Sequence, residues 1–146
     1  MLTRPLAQSP LRALAVVAAL LVSSAAFSHG DVAPQPVNTD GLKPLGKEWL
    51  ETNPYRKNEL AIKIGDSAYN QNCARCHGLE AISGGVAPDL RLLPVGDEGD
   101  DIFKQRVING SVRNGRVYMP RMADYISQEG LWAIRSYLET RHVEEN

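Results

Sequence analysis

The chain has 146 residues, 43% of them apolar and 23% charged, with 16 Lys and Arg against 17 Asp and Glu for a formal net charge of −1. A chain of this size builds one modest core, which argues against a two-lobed enzyme around a large cleft, and it lacks the basic surplus that nucleic-acid binding needs. Its two cysteines are too few for a disulfide scaffold or a four-cysteine zinc site.

In chain order, the first feature is a leader. Arg4 and Arg12 precede an uninterrupted apolar run from Ala13 to Val22, and small Ala26 and Ser28 then occupy the −3 and −1 positions of a cleavage point. Residues 1–28 are therefore expected to be a signal peptide, cleaved before His29. The competing reading is a membrane anchor, but ten residues at about 1.5 Å each reach only about 15 Å, roughly half of the hydrocarbon core.

Residues 29–60 carry Pro34, Pro36, Pro44 and Pro54 with Gly30, Gly41 and Gly46 and little apolar periodicity, which predicts an extended arm. Trp49, Leu50 and Tyr55 give it groups to pack with, so it is expected to lie against a domain spanning residues 61–146. In that domain, Ile62, Gly65, Tyr69, Cys73 and Cys76 recur at helical spacing and share one stripe. A second helix is predicted from Asp100 or Asp101, through Phe103 and Val107, to Asn109-Gly110. The last has Ser127 as its N-cap, Glu129 at its positive end, and Leu131, Ile134 and Leu138 as its apolar stripe, widened by Trp132 and Tyr137. The intervening stretches, Ser83 to Gly85, Pro88, Pro94 to Gly99 and Asn114-Gly115, are turn-rich and lack the alternation of a sheet. The expected fold is all-α, a few helices joined by long loops, and such loops in so small a body need a prosthetic group to pack against.

Cys73-Ala-Arg-Cys76-His77 names that group. Two thiols three positions apart on a helical turn can each add to a vinyl group of a porphyrin, while the adjacent imidazole turns to the iron; C-x-x-C-H is the attachment signature of haem c. A thioredoxin-like redox pair needs a strand before its cysteines, and here a helical stripe precedes them. A zinc site needs four ligands, and beyond these three only His29 and His142 remain, near the two ends and better read as solvated surface residues. For the opposite side of the iron, Met119 and Met122 are the candidates. Pro120 removes a backbone donor and holds the chain after Met119 out of helix, so Met119 is preferred; Met122 remains the alternative, with core filling as its blander role.

Gly65-Asp-Ser-Ala-Tyr69, the C-x-x-C-H, Ala87-Pro-Asp-Leu90, Tyr118-Met-Pro-Arg-Met122 and Leu131-Trp-Ala-Ile-Arg-Ser-Tyr137 occur in the order of a class I c-type cytochrome, which the chain resembles over roughly residues 61–142. The resemblance implies a haem closed by His77 and Met119, and a crossing of the first and last helices where Gly65 meets Tyr137 or Trp132. It also implies that the Pro88 carbonyl accepts the second imidazole N–H of His77. Cys73 to Gly85, Val112 to Pro120 and the Pro-rich arm look more narrowly like the periplasmic cytochromes of quinoprotein ethanol dehydrogenase systems. That likeness implies a monomeric periplasmic carrier, not an enzyme. Its partners would be a pyrroloquinoline-quinone (PQQ) alcohol dehydrogenase as donor and a terminal oxidase as acceptor, both met transiently. A haem subunit of a dehydrogenase complex and a haem ligand-binding or sensor protein are the alternatives. Apolar cover of the haem is expected from Val86, Leu90, Phe103, Val107 and Leu138, and Arg75, Arg113, Arg116 and Arg121 flank the haem-binding segments.

Overall fold

The structure, a computed structural model, describes residues 33–144; the expected signal peptide and His29 lie outside the described residues. Helix α1 (Glu59–Asn72) starts because the Asn58 side chain accepts the Ala61 N–H at 3.0 Å, satisfying a donor that the first turn leaves free. Its buried face is Ala61, Gly65, Ala68 and Tyr69, three of them small enough for a neighbouring backbone to come close. A single turn, α2 (Ala74–His77), follows, then α3 (Asp97–Asn109), a hairpin of β1 (Ser111–Arg113) and β2 (Arg116–Met119), and α4 (Gln128–Thr140). Ser127 caps α4 as expected, its hydroxyl accepting the Gly130 N–H at 3.3 Å.

Helices α1 and α4 cross at Gly65. A Cβ there would lie 1.9 Å from the carbonyl oxygen of Ala133, so only glycine permits the approach. Gly65 thus meets the α4 backbone at Ala133 and Ile134. Tyr137 packs one turn further along α1 against Tyr69, with ring centroids 5.3 Å apart. Trp132 packs against Trp49 and Phe103, each at 6.2 Å.

Three local expectations change. The stripe bearing the cysteines is not one helix: α1 ends at Asn72, and Cys73, with φ −116° and ψ −37°, turns the chain before α2. Helix α3 begins at Asp97, not at Asp100 or Asp101. Gly96 (φ 81°) precedes it, Asp97 and Glu98 place negative charge at its positive end, and Asp100 is buried inside. The stretch read as strandless holds the hairpin, paired Val112 to Val117 and Arg113 to Arg116. Its strands are too short to show alternation, but Asn114 (φ 50°) and Gly115 (φ 73°) are the Asn-Gly pair that a tight type I′ turn requires. The described fold remains mainly helical.

The Pro-rich segment before α1 lies across α4. Leu42, Asn53 and Tyr55 are buried; the Leu45 N–H donates to Glu129 Oε1 at 2.8 Å and the Leu50 N–H to Gln128 Oε1 at 2.7 Å. With this strap on one side and α1 and α3 on others, every residue of α4 from Gly130 to Leu138 is buried, where the sequence shows only a stripe. The buried set includes Arg135, whose Nε donates to Asp100 Oδ1 at 2.8 Å with both side chains fully inaccessible. Asp100 Oδ2 accepts the Asn53 N–H at 2.7 Å and Arg56 Nη2 at 2.5 Å, so one carboxylate joins the strap, α3 and α4.

Candidate functional site

Helix α2 gathers the cysteines and the histidine in one turn. Cys73 is half-buried and Cys76 exposed, and both are free thiols. After His77 the chain reverses at Gly78 (φ 84°), where a Cβ would come within 1.8 Å of the Ile82 carbonyl oxygen. The Tyr69 hydroxyl donates to the Gly78 carbonyl at 2.7 Å, which ties the end of α2 to the buried face of α1. Sequence reading placed Tyr69 on that face but did not foresee this bond.

His77 Nδ1 lies 2.9 Å from the Pro88 carbonyl oxygen. A carbonyl can only accept, so Nδ1 carries the proton and Nε2 keeps its lone pair for a metal. The loop holding Pro88 is itself fixed. Asp89 takes a two-point contact from Arg91, at 3.0 and 2.8 Å, and accepts the Ser83 N–H at 3.2 Å. The Arg91 hydrogen bond chiefly, with the backbone donors, holds the Asp89 carboxyl well below the usual carboxylate range. Nothing in the sequence alone singled out this pair.

Burial, with the neighbouring Cys76 second, pushes the Cys73 thiol up to about 12. A redox-active C-x-x-C needs a thiolate near neutral pH, so this environment opposes disulfide exchange. Among the described residues, no cluster of three or more His, Cys, Asp or Glu side chains forms a metal cage.

Met119 ends β2 half-buried, and the backbone of Gly110, at the base of the hairpin, approaches so closely that a Cβ there would be 2.6 Å from the Met119 carbonyl oxygen. Met122 sits in a 3₁₀ turn (Met122–Asp124), 4% exposed, as part of the hydrophobic core. The other expected cover divides: Phe103, Val107 and Leu138 are buried, Leu90 is half-buried, and Val86 is 79% exposed.

Large exposed apolar residues concentrate in two segments, Leu79, Ile82, Val86, Leu92 and Val95 after the cysteines, and Val112, Val117, Tyr118 and Tyr125 around Met119. Apolar surface of this extent in a chain with two free thiols and, directly after them, a histidine with one free nitrogen fits a large, flat, apolar group carrying a metal. Haem meets that description, and the donor set, thiol, thiol and imidazole, is the one its covalent attachment uses.

The family model for cytochrome c oxidase, cbb3-type, subunit III matches residues 60–138. The chain is 70% identical to cytochrome c550 of Pseudomonas aeruginosa over 139 residues, 92% of this chain and 96% of that protein. It is 34% identical to chloroplastic cytochrome c6 of Chlamydomonas reinhardtii, covering 80% of this chain and 78% of that one. Over 89 residues it is 38% identical to the quinohemoprotein alcohol dehydrogenase ADH-IIG of Pseudomonas putida, 60% of this chain but 12% of that enzyme. No solved structure gives a significant match. The chain belongs to the class I c-type cytochromes: it carries covalently bound haem c, and its activity is electron transfer.

Proposed function

We propose that the protein is an exported, periplasmic one-electron carrier that accepts electrons from a PQQ-dependent alcohol dehydrogenase and passes them towards a terminal oxidase. The observation that carries the site is the His77 to Pro88 contact directly after the two cysteines. The relative that is a quinohemoprotein alcohol dehydrogenase supports the donor's class, because a haem domain like this one is joined there to such an enzyme. The apolar run from Ala13 to Val22 supports export.

In this reading Cys73 and Cys76 would hold the haem through thioethers, each thiol adding S–H across a vinyl group. His77 offers Nε2 to the iron, and Pro88 fixes the ring and raises its basicity. Met119, half-buried at the end of β2, would supply the second protein ligand, whereas Met122 is occupied in the core. Bound haem c supplies the one-electron iron couple. A thioether ligand favours the reduced iron and raises the potential relative to two imidazoles. Partners are met through a small, short-lived contact, and exposed Arg113 and Arg116 steer the encounter.

Stopped-flow mixing of the oxidised protein with ethanol-reduced PQQ dehydrogenase tests the partner. Fast reduction that slows with added salt is expected, and reduction no faster than that of an unrelated cytochrome overturns the pairing. Co-elution of the two proteins on size exclusion would mark a fixed subunit instead. In oxidised spectra, M119A loses the sulfur-to-iron charge-transfer band and M122A keeps it; the reverse result exchanges the two methionines.

A further inference from the structure

The residues just after α4 reach back to the segment that carries Pro88. His142 Nδ1 lies 3.0 Å from the carbonyl oxygens of both Arg91 and Leu93, so that nitrogen donates and the ring holds the middle and the C-cap of a short 3₁₀ turn (Leu90–Leu92). The Val143 N–H donates to the Arg91 carbonyl at 3.1 Å. Arg141 reaches the other end of the segment, its Nη2 standing 2.6 Å from Glu80 Oε2. There the chain runs through two successive left-handed residues, Glu80 (φ 55°) and Ala81 (φ 65°), a conformation that non-glycine residues hold only when their surroundings impose it. Three consecutive residues of one tail therefore grip both ends of residues 80–93.

The grips are unequal. Arg141 and Glu80 are 35% and 64% exposed, and a solvated pair of this kind contributes little. His142, expected from the sequence to be a solvated surface residue, is only 20% exposed and spends its ring N–H on two backbone acceptors. Between Arg91 and His77 the connection is short. The Arg91 side chain holds Asp89, the next residue back is Pro88, and the Pro88 carbonyl meets His77 Nδ1.

We propose that Arg141 to Val143 form a clasp on the loop after the haem-attachment motif, and that His142 is a positioning residue acting on His77 through Pro88. The proposal rests on the reading of His77 as the iron ligand. A firmly held carbonyl keeps the Nδ1–H bond short and the imidazole electron-rich. With the clasp open the carbonyl drifts, the ligand donates less to oxidised iron, and the potential rises.

The test compares holoprotein forms of wild type, H142A, H142N and H77A. An asparagine amide can place an N–H close to the position of Nδ1. H142A is expected to keep its haem and its far-UV circular dichroism, to show a higher reduction potential, and to shift the paramagnetic haem methyl resonances that report the imidazole plane. H142N should return both readouts towards wild type. An unchanged potential and unchanged methyl shifts in H142A overturn the clasp. Should H142A fail to accumulate, H142Q, whose donor sits one bond further out, is compared with H142N: displacement in H142Q alone supports the clasp, and equal values in the two overturn it. H77A separates the two readings. A wild-type low-spin spectrum in H77A removes His77 as ligand and the clasp with it; loss of that spectrum beside an unperturbed H142A removes the clasp alone.

Discussion

Replacing Asp100 by Asn probes how the strap is joined to the helices. The side chain is fully buried and accepts from Arg135 Nε at 2.8 Å, from Arg56 Nη2 at 2.5 Å and from the Asn53 N–H at 2.7 Å. Asparagine has the same shape, so no cavity opens; the loss is the negative charge and one of the two acceptor oxygens. Removing one partner of a buried ion pair costs about 3–5 kcal/mol, because the other charge stays buried. Arg135 keeps Glu139 at 3.3 Å and the Pro94 carbonyl at 2.6 Å, and Arg56 keeps Glu139 at 3.1 Å, which sets the expectation at the lower end, about 3 kcal/mol. That is about two decades in the folding equilibrium and, for a domain of roughly 100 residues, a fall in Tm of about 12 °C or more. Guanidinium unfolding of the oxidised holoprotein, followed by far-UV circular dichroism and tryptophan fluorescence, measures it. R135M leaves Asp100 paired with Arg56, so D100N/R135M should cost less than the sum of the single changes by about 1–3 kcal/mol. A loss under about 1 kcal/mol in D100N, or strict additivity in the double variant, refutes charge pairing as the joint.

Three further outcomes follow from the same contacts. G65A puts a methyl 1.9 Å from the Ala133 carbonyl oxygen, so α1 and α4 must separate by more than an ångström, at about 3 kcal/mol; an unfolding midpoint equal to wild type would show that the crossing is looser than described. Glu129 titrates below the usual carboxylate range: burial opposes the shift, and the Leu45 N–H, the helix start and Ser127 outweigh it. The Asp89 carboxyl is lower still through Arg91. Both carboxylates have folded pKa values below their unfolded ones, so their stabilisation is complete above about pH 4 to 5 and disappears as pH falls through the lowered values. E129Q and D89N should each be less stable than wild type at pH 7 and flatten the decline below pH 5; an unaltered acid limb in both argues against the assignment. G115A, at φ 73° in the hairpin turn, should cost about 1 kcal/mol and broaden the methyl resonance of Met119; no change in either measurement argues against the hairpin as the holder of the proposed Met119 ligand.

The C-x-x-C-H turn stood out because its chemistry is local: Cys73, Cys76 and His77 lie within five residues, and thiol and imidazole have few other reasons to sit at that spacing. Helix α4 was readable at its start, since Ser127 caps through its own side chain, but not in its surroundings. A stripe of Leu131, Ile134 and Leu138 predicts one covered face, whereas burial all round depends on a strap joined by Asn53, Arg56 and Asp100 from 35 to 82 residues away. Arg135 reads as solvent-facing in any window of sequence, because only the fold brings Asp100 to it. The start of α3 was missed for the same reason: Asp100 looks like a cap and is instead the buried partner of Arg135. The hairpin escaped because strands of three and four residues carry no countable alternation, although Asn114-Gly115 marked its turn.

The same placement bears on electron transfer. A carrier works by changing charge without changing shape, so its ligands must be held by structure that the change of charge does not disturb. His77 follows a turn fastened to α1 by Tyr69 and is held from its other side by Pro88, whose loop is tied by Asp89, Arg91 and His142. The polar groups in that support either accept from, or donate to, backbone atoms or close an internal ion pair, which leaves little free charge or dipole to reorient when the iron is reduced. Exposed apolar residues between Leu79 and Val95 and between Val112 and Tyr125 add uncharged surface. Exposed Arg113 and Arg116 sit instead on a hairpin in contact with solvent. In the proposed carrier, dividing the labour between a fixed His77 side and a solvent-facing hairpin would let the hairpin vary in sequence without altering the hydrogen bond between His77 and Pro88.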